Sequence, residues 1–420
     1  MSKISKKILS FLPRTLRYEF FRRTLALPRK LPDGLEIKLA ESRDEYTQAF
    51  KILHDSYVDA GFMKKDPSGL RVTLYHLLKS TSTYVAVDRG EVIATMAMVR
   101  DSSFGLPMDK IYDLNGFRNR GERIGEVSAL AIRRDYRGHG GELLFCLIRL
   151  MWLHTLSSHR IDNFVIAVNP QKADLYRSIL YFHDLPGHST VDQYSFVQGA
   201  PAVGQWMNVK NSYEIFEKAY AGKAPGQNIF NFIFHNQEEL IKQQLDAPYF
   251  TLFNQTLIDA QMRQHFLKDI SNVWEKTSEQ DRQKFANSFD LKNPGDIFKS
   301  ELELTPIDLT RQPRIEVDCP VRKFAIQQIS QIAQVGVLQD LSPRGFKLLL
   351  RHKVPLELNS KANLEIALGP NLNSKVQARL SWYHENRVGF EVLAGDSSWA
   401  DLSINLDSAG DRKKTKFEAA

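Results

Sequence analysis

The stretch Asp340-Leu-Ser342-Pro-Arg-Gly345 lies about thirty residues after Arg311 and Arg314, and these residue types together suit a nucleotide. An aspartate accepts hydrogen bonds from the N1–H and N2–H groups of guanine, while arginines make forked contacts with phosphate and with guanine O6 and N7. The serine hydroxyl and the glycine favour a turn. The alternative is an ordinary type I turn between two strands, which the same residues form for local reasons.

A glycine-rich loop, Arg137-Gly138-His-Gly140-Gly141, follows a predicted strand and precedes a predicted apolar helix. Such a loop exposes backbone N–H groups at the positive end of a helix dipole, so it suits a phosphate. Because tight strand-to-helix turns need glycine even without a ligand, the loop alone leaves both interpretations open.

The elements around this loop alternate between strand and helix patterns. The predicted elements are a strand at 35–39, a helix at 44–59 capped by Ser42, a hairpin of 84–87 and 92–99, a strand at 125–132, a helix at 143–152, a strand at 164–168 and a helix at 169–182. This alternation predicts an α/β domain.

With Arg137, Gly140 and Tyr176 in place, this order of elements resembles the GNAT acyltransferase superfamily over roughly residues 33–200. The resemblance implies a GNAT-like α/β fold, a loop that binds pantetheine-linked phosphates, and Tyr176 as the acid that protonates the leaving thiolate. Glu142 departs from the small residue that the family has at the helix start. A carboxylate there would repel a pyrophosphate, so the loop suits the single phosphate of a carrier-protein phosphopantetheine better than coenzyme A.

The strand entry Glu126-Val-Ser128 resembles the Glu-x-Ser-Arg of a narrower group, the N-acyl amino acid synthases and the autoinducer synthases, with Ala129 in place of the arginine. This resemblance implies acyl carrier protein as the acyl donor. An amine that attacks a thioester needs a base, an oxyanion site and an acid. We predict Glu126 as the base, acting through water, and Tyr176 as the acid; the simpler alternatives are a strand-edge charge and a core aromatic residue.

Acyl-pantetheine is predicted to contact the same strand and the glycine loop. The predicted binding residues are Ser128, Leu130, Ile132, Arg137, Gly138, Gly140, Gly141 and Asn169. Flexible apolar side chains can line an acyl slot, although such residues more often fill a core. The candidates for this slot are Met96, Met98, Phe104, Met108, Phe145, Met151 and Trp152.

The motif Asp340-x-Ser342-x-x-Gly345, followed by a predicted hairpin of 375–383 and 387–393, resembles the PilZ domain, the bacterial cyclic di-GMP receptor. The resemblance covers residues from about 310 to 393 and implies an all-β barrel.

The same resemblance implies a cyclic di-GMP site, although one of its motifs is incomplete. Its predicted residues are Arg311, Arg314, Asp340, Ser342 and Gly345. The family has two arginines four positions apart, whereas Thr310 lies four before Arg314. A structural PilZ domain that no longer binds nucleotide is therefore the alternative.

We accordingly predict a multidomain chain. The predicted parts are a basic amphipathic segment at 1–32, a GNAT-like N-acyltransferase domain at 33–210, a helical connector at 211–303, a PilZ domain at 304–403 and a disordered tail at 404–420. Because the connector is rich in aromatic residues, it should pack on one or both domains.

The net charge of +7 is concentrated in residues 1–30, which hold four lysines, five arginines and one glutamate. That segment carries +8, so the remainder carries −1, and binding of DNA or RNA by the folded body is unsupported. An amphipathic helix of this composition would lie on an anionic membrane. The alternative is a helix packed on the adjacent domain with its arginines in water.

The remaining composition predicts a cytoplasmic protein that is peripheral on the inner face of the plasma membrane. The two cysteines are isolated and no Cys/His cluster has metal-ligand spacing, which indicates a reducing compartment, no metal and no tightly bound cofactor. No apolar run suits a signal peptide or a spanning helix.

Two functions follow from these patterns. The first is a cyclic di-GMP-responsive N-acyltransferase that moves a fatty acyl group from acyl carrier protein to an amino acid or small amine. The second is a non-catalytic cyclic di-GMP effector whose GNAT-shaped domain binds a partner protein or a lipid.

Overall fold

The computed structural model of the protein forms two compact units. It describes residues 13–28, 34–137, 141–158, 161–187, 190–194, 200–209, 211–235, 258–289, 291, 293–299, 315–326, 329–342, 344–350, 357–367, 373–384 and 387–399. The α/β unit is formed from the described residues up to 299 apart from 157 and 158, and the second unit contains those at 315–399.

An eight-stranded sheet forms the centre of the α/β unit, in the order β1-β2-β3-β4-β5-β8-β6, with β7 beside β8. Its strands are β1 (Leu35–Leu39), β2 (Thr81–Asp88), β3 (Glu91–Arg100), β4 (Ile124–Ile132), β5 (Asn163–Val168), β6 (His183–Asp184), β7 (Thr190–Tyr194) and β8 (Ala200–Asn208). β4 and β5 are parallel, whereas the other neighbours are antiparallel.

Helices cover the sheet. They are α1 (Arg14–Arg23), α2 (Arg43–Asp59), α3 (Asn115–Asn119), α4 (Glu142–Ser158), α5 (Pro170–Ile179), α6 (Ser212–Tyr220), α7 (Ala260–Gln264), α8 (Val273–Lys276) and α9 (Glu279–Asn287). Short 3-10 helices occur at Leu74–Leu77, Pro107–Lys110, Arg134–Tyr136, Pro225–Gln227 and Pro294–Phe298, and π-helices at Asn231–His235 and His265–Asp269. The predicted α/β architecture is confirmed.

Local sequence chemistry explains several boundaries. Ser42 accepts a hydrogen bond from the Glu45 N–H, and the Glu45 carboxylate accepts one from the Ser42 N–H, so a capping box begins α2 as the sequence predicts. The apolar run of β3 is buried on both faces, as expected for a central strand covered by helices.

The pairing of β4 with β5 ends after Ile124↔Asn163, Gly125↔Phe164 and Glu126↔Val165. Three residues later Ala129 has a φ of +52°, and the register between β4 and β3 shifts at this point. This is a β-bulge, which bends the strand. The two parallel strands therefore separate beyond Glu126, on the side where β5 leads into α5.

Residues 258–299 share a hydrophobic core with the sheet. Phe266, Phe285 and Ile297 are wholly buried and belong to one cluster with Phe50 and Val99. Within the described residues, this part of the predicted connector therefore belongs to the α/β unit.

Part of the basic N-terminal segment packs on the protein. Arg17 pairs with Asp174 at 2.6 Å, and the Arg22 guanidinium donates to the Ser178 carbonyl at 2.9 Å while it lies 5.0 Å from the Tyr181 ring centre. Helix α1 therefore docks on α5, which favours the packed-helix alternative for residues 14–23. Residues 1–12 lie outside the described residues.

The second unit is a closed antiparallel barrel of six strands, in the order β10-β11-β14-β13-β12-β9. Its strands are β9 (Ile315–Ile326), β10 (Ile329–Ser342), β11 (Gly345–Leu350), β12 (Lys361–Ala367), β13 (Asn373–His384) and β14 (Arg387–Gly395). Phe324, Phe346 and Leu380 fill its core. The predicted hairpin is present as β13–β14, and the predicted tail at 404–420 lies outside the described residues.

Gly336 in β10 lies where any side chain would collide with the backbone, because an added Cβ would meet the carbonyl oxygen of Leu349. Backbone atoms cannot rotate away as a side chain can, so we expect Gly336→Ala to lower the free energy of unfolding of the barrel by about 1–3 kcal/mol. Denaturant unfolding followed by fluorescence measures this. Gly295→Ala is the control, since a Cβ there meets nothing within 4 Å, and equal midpoints for the two variants would contradict the assignment.

Candidate active site

Glu126 lies in β4 at the last position paired with β5, and its side chain is only 2% exposed. Its Oε2 accepts a hydrogen bond from the Met108 N–H at 2.8 Å. Burial raises the pKa of Glu126 to about 8; the hydrogen bond from Met108 opposes that rise and the charge of Asp109 adds to it. A carboxyl that ionises near neutral pH can serve as a general base.

This placement is costly for folding, because a buried carboxylate loses its hydration and recovers one backbone hydrogen bond. It is also not the exposed strand-edge charge that we weighed as the simpler alternative, since β3 and β5 flank the residue on both sides. Perturbed carboxyls of this kind cluster at functional sites.

A loop between β3 and β4 holds Met108 over Glu126. Arg118 fixes this loop: its guanidinium donates to both oxygens of Asp101 at 2.6 and 2.9 Å and to both oxygens of Asp109 at 2.9 and 2.7 Å. Asp109 also accepts from the Leu106 N–H at 2.8 Å. These contacts fix the backbone donor that reaches Glu126.

Ser128, Leu130 and Ile132 lie in β4 beyond the last pair with β5. Ser128 pairs with Ala97 and Ile132 with Ala94 on the β3 side, with the bulge between them. Among the described residues, the β5-facing edge of this part of β4 has no strand partner. Backbone groups along such an edge can bind a carbonyl oxygen or an extended amide chain.

The Arg137 side chain makes several polar contacts at the start of the glycine loop. Its Nε donates to the Ile132 carbonyl at 2.8 Å, one terminal nitrogen donates to Ser56 Oγ at 2.8 Å, and the other lies 3.7 Å from Asp59. Gly138 and Gly140 lie outside the described residues. Gly141, with a φ of +85°, directly precedes Glu142, the first residue of α4, so the loop does lead into a helix N-terminus.

Asn169 and Tyr176 both lie on α5. The Asn169 Oδ1 accepts from the Gln171 N–H at 2.9 Å and caps the helix, and Pro170 is its first residue, as the sequence predicts. Tyr176 is half-buried, with its ring centre 6.2 Å from that of Phe182, and burial raises the pKa of its phenol. Its hydroxyl has no hydrogen-bond partner among the described residues. The predicted contact of Asn169 with pantetheine stays a prediction.

The predicted acyl slot is wrong as a single cavity, because its residues lie on two faces of the sheet. Met108 belongs to the core cluster of Val99, and Phe104 packs against it. Met98 alternates with Val99 along β3 and lies against α4, where Thr155 Oγ1 is 3.5 Å from its sulfur. Met96 shares the Met98 face by alternation, and Phe145, Met151 and Trp152 lie on α4 itself.

Sequence patterns missed Tyr75 and the Asp101–Arg118–Asp109 cluster near Glu126, whereas they named Phe104 and Met108 only for the acyl slot. Tyr75 donates to the Leu106 carbonyl at 3.4 Å, and its ring lies 5.0 Å from that of Phe104. The residues of the Asp101–Arg118–Asp109 cluster have no regular spacing along the β3–β4 connection. The one signal available was the concentration of three aspartates, two glycines and an arginine between residues 101 and 118.

The barrel brings part of the predicted nucleotide site together. Ser342 Oγ donates to the Gly345 carbonyl at 3.1 Å across the turn that joins β10 to β11. Asp340 is 9% exposed and pairs with Lys347 at 3.0 Å. Arg311 and Arg314 lie outside the described residues.

Sequence reasoning did not place Lys347 and Trp382 in that site. Asp340, Lys347, Gly389 and Trp382 are successive partners across β10, β11, β14 and β13, so they share one face of the barrel. Trp382 is 40% exposed and its indole covers Gly389, where a Cβ would collide with it.

Two absences apply to the part of the chain that the structure describes. There, no group of three or more histidine, cysteine or acidic side chains is arranged to hold a metal ion. In the same residues, no helix combines the length and apolarity needed to cross a bilayer.

Residues 48–208 match the family of the N-acyl amino acid synthase FeeM. The chain is similar to the solved structure of FeeM from uncultured soil microbes, with 22% identity over 43% of this chain and 93% of that one, at a TM-score of 0.37. It is similar to the CoA-dependent acyl-homoserine lactone synthase BjaI, with 16% identity over 44% and 89% of the chains, at a TM-score of 0.34. It is also similar to the ribosomal-protein-S5-alanine acetyltransferase from Vibrio fischeri, with 14% identity over 43% and 97% of the chains, at a TM-score of 0.31.

No curated protein is detectably similar to the chain in sequence. The match of residues 48–208 to the synthase family supports an acyltransferase.

The raised pKa of Glu126 predicts a dependence of stability on pH. Its pKa is about 8 in the folded protein, against 4.5 for an unperturbed glutamate, so the folded state holds a proton that the unfolded state releases between those values. The free energy of unfolding should therefore fall as pH rises through this window, by about 1.4 kcal/mol per pH unit at its steepest from this residue alone.

Glu126→Gln removes this dependence, so its stability relative to the parent should increase from pH 5 to pH 8. Thermal or denaturant unfolding across that range measures the difference. Glu36→Gln, at an exposed position of β1, is the control and should keep a constant offset from the parent. A constant offset for Glu126→Gln as well would show that Glu126 does not ionise abnormally.

Proposed function

We propose that the α/β unit is an N-acyltransferase that moves a fatty acyl group from the phosphopantetheine thioester of acyl carrier protein to an amino acid or another small amine. The observation that carries this proposal is the buried Glu126, with its raised pKa, at the point where β4 and β5 separate. The family match of residues 48–208 supports the same reaction class.

The proposed reaction begins with an ammonium substrate beside Glu126. The carboxylate accepts a proton from the ammonium through water, and the free amine attacks the thioester carbonyl carbon. Backbone N–H groups around Leu130–Ile132 stabilise the oxyanion that forms on the carbonyl oxygen. When the C–S bond breaks, the Tyr176 hydroxyl donates a proton to the thiolate. The second proton lost by the nitrogen restores the Tyr176 hydroxyl, and the proton taken up by Glu126 leaves to solvent.

Charges at the loop favour a carrier-protein donor in this proposal. Glu142 places a carboxylate in the first turn of α4, where it competes with a bound anion for the helix dipole. One phosphate is repelled less than the pyrophosphate and the further phosphate of coenzyme A. The proposed contacts of Arg137, Gly138, Gly140, Gly141 and Asn169 with pantetheine belong to this same donor.

We infer a second function for the barrel, the binding of cyclic di-GMP. Asp340 and Lys347 offer an acceptor and a donor to a guanine edge or a phosphate, and the exposed indole of Trp382 offers a flat surface beside them. Together with Ser342, Gly345, Arg311 and Arg314, these residues would form the nucleotide site, and the nucleotide would control the acyltransferase.

Peripheral membrane attachment would use the exposed side of α1 together with residues 1–12. Leu16 is 58% exposed and Phe20 is 36% exposed, while Arg17 and Arg22 are engaged with α5. The non-catalytic alternative function explains the buried Glu126 less well, because a protein that only binds has no need to retain a destabilising carboxyl.

Tyr176→Phe tests the proposed acid. A phenol that donates to a departing thiolate acts only as charge develops on sulfur, so its loss should lower the acyl-transfer rate by about 10²–10⁴-fold and leave binding of the acyl carrier protein nearly unchanged. Single-turnover assays with palmitoyl acyl carrier protein and an amino acid panel measure the rate.

Tyr220→Phe is the matched control for that experiment. Its hydroxyl donates to the Ile179 carbonyl at the end of the same helix, so its loss should lower stability and keep the rate per folded molecule. A Tyr176→Phe protein that melts normally and acylates within twofold of the parent would falsify the assigned role.

Calorimetry on the full chain tests the nucleotide site. Asp340→Ala, Arg314→Ala and Trp382→Ala should each weaken the affinity for cyclic di-GMP by about one to two decades, since each removes a charged or stacking partner. Tyr383→Ala is the control, because this exposed residue is the neighbour of Trp382 on the opposite side of the strand. No heat for the parent at high micromolar nucleotide would exclude the site.

A further inference from the structure

The side of the sheet that Glu126 faces can be assigned from strand register. Glu126 is the direct partner of Val99 on β3, and directly opposed residues in antiparallel strands project to the same face. Val99 belongs to the hydrophobic cluster that includes Phe285 and Ile297. The face above Glu126 is therefore covered in part by residues 258–299, which lie beyond the family-matched region of 48–208.

A continuous series of aromatic contacts connects that segment to the surroundings of Glu126. The Tyr75 ring lies 5.0 Å from Phe104, and Phe104 lies 5.7 Å from Phe285 of α9 in an edge-to-face arrangement. Tyr75 and Phe104 are half-buried, whereas Phe285 is wholly buried behind them. Phe285 thus supports Phe104 from the core side.

Phe104 lies in the same loop as Met108, the residue whose N–H donates to Glu126. Asp109 of this loop is held by Arg118 at one end, while Phe104 packs on α9 at the other. The position of the loop therefore depends on both contacts. The hydrogen bond from Met108 to Glu126, which opposes the rise in the pKa of Glu126, depends on them as well.

The covering segment is itself firmly held. Arg263 is buried, and its guanidinium donates to the carbonyls of Ile297 at 2.8 Å and Ile258 at 2.7 Å while it lies 4.6 Å from the Phe289 ring centre. The Lys79 ammonium lies 5.4 Å from the same ring. These contacts hold the segment that contains Phe285 in a defined conformation.

From these contacts we propose that residues 258–299 set the shape of the acceptor side of the acyltransferase site, with Phe285 as a positioning residue that acts through Phe104. The inference rests on the proposed acyl transfer and adds the element that selects the acceptor. The acceptor class that fits is an amine with an apolar body, because Tyr75 and Phe104 offer aromatic surface beside a carboxyl that takes a proton from the ammonium.

The test replaces the supporting ring and measures acceptor selection. Phe285→Ala and Phe285→Leu are assayed with palmitoyl acyl carrier protein and with glycine, leucine and phenylalanine as acceptors. Because Phe104 gains room to move back, the ratio of kcat/KM for phenylalanine over glycine should rise by about tenfold in Phe285→Ala and less in Phe285→Leu. The KM for the acyl carrier protein should change by less than about twofold.

A second readout separates positioning from general destabilisation. If Phe285 holds the loop, its loss weakens the hydrogen bond from Met108 to Glu126, and the midpoint of the pH–rate profile should move to higher pH. Phe216→Leu is the matched control, since this wholly buried phenylalanine packs on Trp152 of α4 at 5.3 Å. The control should keep the acceptor ratio and the midpoint of the parent.

Folded Phe285 variants with an unchanged acceptor ratio and an unchanged midpoint would overturn the inference while leaving the acyltransferase itself intact. Phe285→Leu decides the matter if Phe285→Ala does not fold, because leucine retains most of the buried volume. A parent protein that acylates no amine would instead remove the proposed function on which the inference rests.

Discussion

Two parallel strands that stop pairing after three residue pairs determine how the α/β unit can work. Parallel strands normally continue side by side and satisfy each other's backbone groups, so a separated pair leaves donors and acceptors available to a ligand. The bulge at Ala129 provides this separation from within β4, by turning one residue into the left-handed region. Glu126 is the last residue of β4 paired with β5 before the bulge, and the helix with Tyr176 begins where β5 ends.

The second constraint is electrostatic. A carboxyl enclosed on this sheet lowers the stability of the fold near neutral pH, and the protein compensates with ordered polar contacts nearby rather than with a counter-ion for Glu126 itself. The paired carboxylates of Asp101 and Asp109 around Arg118 neutralise much of the guanidinium charge, so Arg118 holds the loop without lowering the pKa of Glu126.

Local rules predicted a large part of the fold. Features that depend only on neighbouring residues can be predicted from the sequence. They include the Ser42 capping box, the hairpin around Gly90, the Asn169-Pro170 helix start and the alternation in β13. The predicted strand that holds Glu126 and the predicted helix that holds Tyr176 are both present.

Features that depend on contacts between residues distant in sequence could not be predicted from the sequence. A positive φ at Ala129 contradicts the local preference of alanine, and it exists because the surrounding sheet enforces it. The docking of α1 involves Asp174, more than a hundred residues away, so charge composition alone left a membrane surface and a packed helix both open. Likewise, the prediction of a single acyl slot was wrong, because residue type does not determine which face of the sheet a side chain occupies until the strand register is known.

The closed barrel has a consequence of its own. Among the described strands of this unit, each pairs with two neighbours, so none of them is an edge strand that another polypeptide could extend. Exposed aromatic residues such as Trp382 and Tyr383 can then stay on its surface without promoting strand-to-strand aggregation. The described strands therefore favour recognition through side chains on the faces of the barrel over recognition by strand addition.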